Sequence, residues 1–179
     1  MKYPNILFCG RAGSGKNFLA NEIIKKYGYK EISFAKPLKI IAEREFGYEG
    51  KKDRYILQRL GTLGRMIYPE LWCQMAYTTL EYISRYEKLK PRGFIITDCR
   101  YLNEVDFFKA KGNWIVIKLN CARKIRFKRL YERDGYIPSQ KELQHSSETE
   151  LDKIIPDYSI DTGGTKEKIW KEMDKIIRR

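Results

Sequence analysis

The sequence predicts an α/β fold organised on a parallel sheet. Two observations carry that prediction. Short apolar runs alternate with longer stretches of helical periodicity, the order required when parallel strands are joined by helical crossovers. The first apolar run, Ile6-Leu7-Phe8-Cys9, leads into a glycine-rich stretch, Gly10-Arg11-Ala12-Gly13-Ser14-Gly15-Lys16-Asn17. That stretch opens directly into a helical pattern, Phe18 to Lys26.

Strand, glycine-rich loop and helix in this order form the setting of a phosphate-binding loop. Gly10, Gly13 and Gly15 let the backbone curl with its N–H groups inward, and the positive end of the next helix adds to the anion site. Lys16 is placed to reach the β- and γ-phosphates of a nucleoside triphosphate. The residue after Gly-Lys is usually Ser or Thr, whose hydroxyl faces Mg²⁺; here it is Asn17, whose amide oxygen is a weaker match.

At 179 residues, with 42% hydrophobic and 33% charged residues, the chain is long enough for one domain with a real core. No apolar run approaches the ~20 residues of a membrane span, and the N-terminus does not read as a signal peptide. No membrane partner and a cytoplasmic location are expected. Cys9, Cys73, Cys99 and Cys121 form no C-x-x-C pair, and with one histidine they make no zinc set; free thiols are expected. The net charge of +13 fits a polyanionic substrate, a nucleic acid or a solvated lysine-rich surface. The lysines are spread along the whole chain, which favours the last for most of them.

Taken in order, Tyr29 to Phe34 reads as a short strand, and Pro37 suits the first turn of a helix that runs to Gly47. Ser33, Phe34 and Lys36 then fall at a strand end, where ligands of parallel sheets bind. Asp53 to Tyr68 begins as an amphipathic helix and is expected to break at Gly61 and Gly64, leaving Arg65 beside a turn as an anion clamp or a surface residue. Pro69 to about Lys88 is a long helix in which Trp72 either packs a nucleobase or fills the core.

Gly93 to Asp98 is a second buried strand ending in an acid. In phosphate-loop proteins such an acid positions Mg²⁺ or its water shell. Arg100 follows, then Asn103-Glu104 at the start of a helix to Lys111; Asp98 and Arg100 form either a site or a structural salt bridge. After the strand Trp114 to Leu119, a helix from about Ala122 to Arg133 carries Arg123, Arg126, Arg129 and Arg133 on one face. Like charges so placed repel unless solvated or set against an anion, so the stripe is a solvated face, a phosphate clamp or a mobile lid. His145 and the adjacent serines lack an orienting acid and an oxyanion motif, so a helix N-cap by Ser146 or Ser147 is expected rather than nucleophilic chemistry. Tyr158 to Asp161 is a last strand, and Lys166 to Ile177 a last helix.

The segments G-R-A-G-S-G-K (10–16), S-F-A-K-P-L-K (33–39), L-Q-R-L-G-T-L-G-R (57–65) with P-E-L-W (69–72), I-I-T-D-C-R-Y-L-N-E (95–104) and H-S-S-E-T-E-L-D (145–152) together resemble the phage-type deoxynucleoside monophosphate kinases. These are a branch of the P-loop nucleoside monophosphate kinases. The resemblance implies a single three-layer P-loop kinase domain, 1–179, with a central five-stranded parallel sheet, a helical substrate-binding insert over about 34–90 and a small lid over about 122–150. It implies transfer of the γ-phosphoryl of ATP, with Mg²⁺, to a deoxynucleoside monophosphate to give the diphosphate. By the same resemblance, Gly10, Ala12, Gly13, Ser14, Gly15, Lys16, Asn17 and Arg126 bind ATP. Ser33, Phe34, Lys36, Arg65, Trp72, Asp98, Arg100, Glu104 and Arg133 bind the acceptor. Lys16, Asp98, Arg100, Arg126 and Arg129 serve the transfer, and Asn17 and Asp98 face the metal. A homodimer is implied too, and the host-cell cytoplasm if the chain is phage-encoded.

The chemistry agrees with the residues. Phosphoryl transfer needs positioning and charge neutralisation more than a covalent nucleophile, and an acceptor phosphate oxygen is already ionised at neutral pH. The absence of a general base therefore does not oppose a kinase. Two alternatives fit the same residues: a small-molecule kinase like dephospho-coenzyme A kinase, and a P-loop ATPase that binds nucleic acid. The chain's small size and scattered lysines oppose the second.

Overall fold

The computed structural model describes residues 3–48 and 54–179; Asp53, the expected start of the helical stretch to Tyr68, lies outside them. The chain divides into two compact units, one of residues 1–31 with 92–179 and one of residues 32–91.

The first unit is built on five parallel strands: β1 (Asn5–Cys9), β2 (Lys30–Ile32), β3 (Phe94–Cys99), β4 (Trp114–Asn120) and β5 (Tyr158–Asp161), in the order β2-β3-β1-β4-β5. Central β1 pairs Ile6 with Ile95 on one side and with Ile115 on the other. A strand so placed is covered on both faces and reads as continuous apolar sequence. Ile6, Leu7, Phe8 and Cys9 are accordingly all buried.

Strand alternation sorts the two faces. Ile117 and Leu119 of β4 join a cluster with Leu19, Ala20 and Ile23 of α1 (Lys16–Tyr27) and with Ile169, Met173 and Ile177 of α9 (Lys166–Ile177). Trp114 points the other way and meets Phe108 of α5 (Leu102–Lys109) edge to face, 4.7 Å between ring centroids. Helices thus cover both faces, in three layers. Because the strands are parallel, the loops after β1, β3, β4 and β5 leave from one edge.

β2 is shorter than the pattern of Tyr29 to Phe34 suggests: it ends at Ile32, and the hydroxyl of Ser33, just before the bend at Phe34, accepts from the Ala35 amide at 3.1 Å. A serine that bonds the backbone two residues on turns the chain instead of extending it.

The second unit contains α2 (Ala35–Phe46), α3 (Arg54–Ile67) and α4 (Leu71–Tyr86). The expected break at Gly61 and Gly64 does not occur, and α3 runs through both. Tertiary packing overrides the low helix propensity of glycine here. A Cβ on Gly64 would stand 2.4 Å from Trp72 Cζ2, and the indole Nε1–H donates to the Gly61 carbonyl at 3.0 Å. The glycines admit an aromatic ring, and Trp72, 4% exposed, is a core residue. Arg65 lies in the last turn of α3 and donates to the Gly61 carbonyl at 2.9 Å, so it does not follow a turn.

Candidate phosphate-binding site

The Gly10–Lys16 loop leaves the buried end of β1 and enters α1 through Gly15, whose φ of +90° only glycine adopts readily. No side chain caps the first turn of α1, the condition under which helix amides take an anion. Lys16 folds back over the loop. Its ammonium donates to the Gly10 carbonyl, to Arg11 O at 3.2 Å and to Ser14 Oγ at 3.5 Å. Burial, with Arg100 nearby, pushes the Lys16 pKa down to about 7. An arriving polyanion favours its charged form.

The helix after β4, α6 (Arg123–Asp134), packs against this loop. A Cβ on Gly13, at φ +79°, would sit 2.6 Å from the Arg126 carbonyl oxygen. The Arg126 side chain, 7% exposed, donates to Ala12 O at 3.1 Å and to Cys121 O at 3.2 Å. Arg129 donates to Thr162 O at 2.7 Å, and Thr162 Oγ1 donates to Ser14 O at 2.8 Å, tying the loop to the end of β5. Arg11 pairs with Asp152 at 2.8 Å. A cavity of about 580 Å³ opens beside the loop, lined by Gly10, Arg11, Lys118, Asn120, Arg126 and Asp152 among others. This is within the size range of small-molecule sites.

The four arginines of α6 do not act as one stripe. Arg123 lies over the Phe127 ring, Arg126 and Arg129 reach backbone carbonyls, and Arg133 pairs with Asp134 at 2.6 Å. Each has its own partner, so mutual repulsion is relieved without solvating the whole face.

At the end of β3, Asp98 and Glu148 both act on Lys16 and on Arg100. Arg100 donates to a carboxylate oxygen of Glu148 and to Ser147 O at 3.1 Å. Burial works to lower the Arg100 pKa, and Glu148, Asp98 and Glu104 outweigh it. Glu104, 1% exposed, accepts from the Arg100 amide at 2.7 Å and the Tyr101 amide at 3.1 Å. It serves as the capping acid of α5, which starts at Leu102 and stops at Lys109, short of the expected Lys111.

Lys16, Asp98 and Arg100 thus share one charged cluster, and Arg126 shares Glu148 with it. Arg133 is turned to Asp134. Ser33, Phe34, Lys36, Arg65 and Trp72 belong to the turn after β2 and to the helical unit, where Phe34 and Trp72 are buried.

Sequence reasoning missed Glu148, which belongs to α8 (Ser146–Thr149) and is 7% exposed. Its only signal was its place in His145-Ser146-Ser147-Glu148. The N-cap of α8 is His145, not a serine: its Nδ1 accepts from the Ser147 amide at 3.2 Å. The ring nitrogen sits where a capping oxygen would, and Ser147 Oγ bonds it at 3.0 Å.

The oxygens of Asn17, Asp98 and Glu148 are of the kind Mg²⁺ takes, and one Glu148 oxygen is buried without a partner. Among the described residues no three His, Cys, Asp or Glu side chains stand close enough to hold a metal by themselves.

No protein-family model matches the chain. Three solved structures align with nearly all of it. TT1252 from Thermus thermophilus gives a TM-score of 0.64 at 18% identity, covering 99% of this chain and 98% of that one. A gluconokinase from Sinorhizobium meliloti 1021 gives 0.58 at 18% identity over 98% and 92%. A sugar kinase from Janibacter sp. HTCC2649 gives 0.56 at 16% identity over 98% and 94%. The chain has their fold. Its sequence is also 32% identical, over 114 residues, to the uncharacterized protein ORF76 of Ictalurid herpesvirus 1 (strain Auburn). That match takes in 61% of this chain, and the chain spans less than half, 45%, of the length of that relative. Among the described residues no helix is long and apolar enough to cross a membrane.

Proposed function

We propose that the protein is an ATP-dependent kinase whose acceptor is a deoxynucleoside monophosphate. The observation that carries the reading is the Lys16 ammonium folded over a glycine loop at the mouth of α1, a helix whose first turn no side chain caps; Arg100, just past β3, adds to the same positive field. One cation lies at a triphosphate site and a second cation follows within the same electrostatic cluster. Two phosphate-bearing substrates need that arrangement. The fold shared with a gluconokinase and a sugar kinase supports phosphoryl transfer to a small molecule. The resemblance of the segments at 33–39, 57–65 and 95–104 to the phage-type deoxynucleoside monophosphate kinases supports a deoxynucleotide as that molecule.

In this reading the loop amides and Lys16 hold the β- and γ-phosphates of ATP. Arg126 braces the loop through Ala12 O and keeps its amides inward. Arg129 stands by Gly15, 3.8 Å from its Cβ position, and is free to exchange the Thr162 carbonyl for phosphate oxygen as charge builds. Arg100 receives the acceptor phosphate. Asp98 and Asn17 face the metal, which when bound neutralises charge on the transferred group. By the resemblance, residues about 34–90 are the acceptor-binding insert, with Ser33, Phe34, Lys36 and Arg65 along the acceptor pocket, and residues about 122–150 the lid, with Arg133 on it.

The test is ADP release from ATP and Mg²⁺ with each deoxynucleoside monophosphate in turn. The ribonucleotides, dephospho-coenzyme A and gluconate are the comparators. Turnover with one or two deoxynucleotides is expected. Turnover with only gluconate or only dephospho-coenzyme A keeps a kinase and moves the substrate. ATP hydrolysis stimulated by DNA or RNA and no transfer replaces the reading altogether.

A further inference from the structure

Among the described residues, one buried side-chain oxygen or nitrogen has no hydrogen-bond partner, and it is Oε2 of Glu148. The residue is 7% exposed, so water does not supply the missing donor freely. Its other oxygen is engaged by Arg100. Lys16, Arg100 and Arg126 all feel its charge, which places it among the cations of the phosphate site.

A carboxylate there is a liability if phosphate alone arrives. The triphosphate brings several negative charges, and a second carboxylate, Asp98, already acts on the same two cations, Lys16 and Arg100. Arg100 saturates one Glu148 oxygen and leaves the other as an acceptor without a donor. Leaving such an atom buried and unpaired is destabilising. What relieves both problems is a hard cation that enters with the phosphates, since it binds oxygen anions and separates them from one another. The position after Lys16, which ordinarily supplies an oxygen to that cation, is Asn17 and has no hydroxyl.

We infer that Glu148 is a metal-facing residue: its unpartnered oxygen receives the divalent cation of the metal–nucleotide complex, directly or through one of its waters. The inference rests on the kinase reading above. It gives α8 a task, which is to carry to the loop the oxygen that the loop itself lacks. The cap of this four-residue helix, His145 bonded to the Ser147 amide and hydroxyl, helps to hold the carboxylate in place.

The measurement is the affinity for ATP by calorimetry, with Mg²⁺ and with a chelator in its place, for the wild type, Glu148→Gln and Glu148→Asp. Neither arm requires turnover. In the wild type Mg²⁺ tightens binding. In Glu148→Gln that tightening is expected to fall by about ten- to hundredfold, while metal-free ATP binds as well as before or better. Glu148→Asp keeps the charge and retains part of the tightening, so it reports even if Glu148→Gln fails to fold. If Glu148 serves only as the counter-ion of Arg100, both arms shift together and the ratio stands, which overturns the inference and leaves the kinase reading intact. A folded wild type that binds no ATP in either arm sinks the kinase reading, and this inference with it.

Discussion

The Arg126 guanidinium donates to the carbonyl oxygen of Ala12 at 3.1 Å, across 114 residues of chain. Through this contact α6 holds the outer turn of the glycine loop. Burial first, and then Arg11, lower the Arg126 pKa, so the site holds a cation at some cost. Arg126→Ala is expected to remove about 2 kcal/mol of stability, the usual cost of losing a charged hydrogen bond and its packing. It should also weaken ATP binding by about tenfold, because the loop amides lose their brace. Thermal unfolding and calorimetric titration read the two effects.

Gly13 faces the same helix from the loop side. A methyl group there meets the Arg126 carbonyl at 2.6 Å, from a φ of +79° that other residues avoid. Gly13→Ala should therefore lose nucleotide binding with little loss elsewhere in the sheet. Gly112, also at positive φ but with nothing within 4 Å of its Cβ position, is the control. Gly112→Ala should bear only the backbone strain, about 1 kcal/mol, and bind ATP normally.

Lys16→Met should abolish phosphoryl transfer and weaken ATP binding by at least about a hundredfold, since a charge-assisted contact to phosphate contributes about 2–3 kcal/mol. The fold should survive with an undiminished Tm. The ammonium is poorly solvated without a ligand, and Met fills a similar volume. Circular dichroism melts beside binding curves check both halves; transfer at the wild-type rate would end the P-loop assignment.

Gly64→Ala tests a different kind of glycine. Here the backbone is helical, and the problem is the Trp72 ring 2.4 Å away. The variant should cost about 2 kcal/mol through overpacking. It should change the fluorescence of Trp72 as the indole loses its bond to the Gly61 carbonyl.

Asp174 couples α9 to α1. It accepts from Lys26 at 2.8 Å and from the Tyr27 hydroxyl, and Arg178 pairs with it at 2.7 Å. The Lys26 bond first, then Tyr27, hold its pKa below the ordinary carboxylate value. A carboxylate so lowered stabilises the fold above its unfolded pKa and ceases to do so as pH falls through the folded one. Asp174→Asn should lower Tm by a few degrees near neutral pH, with the gap to wild type closing below about pH 4. A gap that stayed constant with pH would assign the effect to packing instead.

The sheet was largely legible from sequence. A strand covered on both faces has to be apolar throughout, so Ile6 to Cys9 and Phe94 to Ile96 announce themselves, and β5 and α9 fall on their expected bounds. The glycine loop was legible because its conformation needs glycine at fixed offsets. The helical unit was harder. Gly61 and Gly64 look like chain breakers until Trp72, eight residues past the second, is seen to occupy the space they leave.

The sequence by itself determined the class of fold and the place of the glycine loop, since both depend on local pattern: which residues are apolar, and which can adopt positive φ. Only the tertiary structure decided what the charged residues do. Arg126 turned out to brace the loop, Arg133 to pair with its neighbour, and Glu104 to cap a helix. Glu148, unremarkable in a polar stretch, came to lie among Lys16, Arg100 and Arg126 with one oxygen unpaired. A charge has no preferred period along a chain. Its partner is fixed by whichever element the fold brings within hydrogen-bond distance, here across 48 residues for Arg100 and Glu148 and 114 for Arg126 and Ala12.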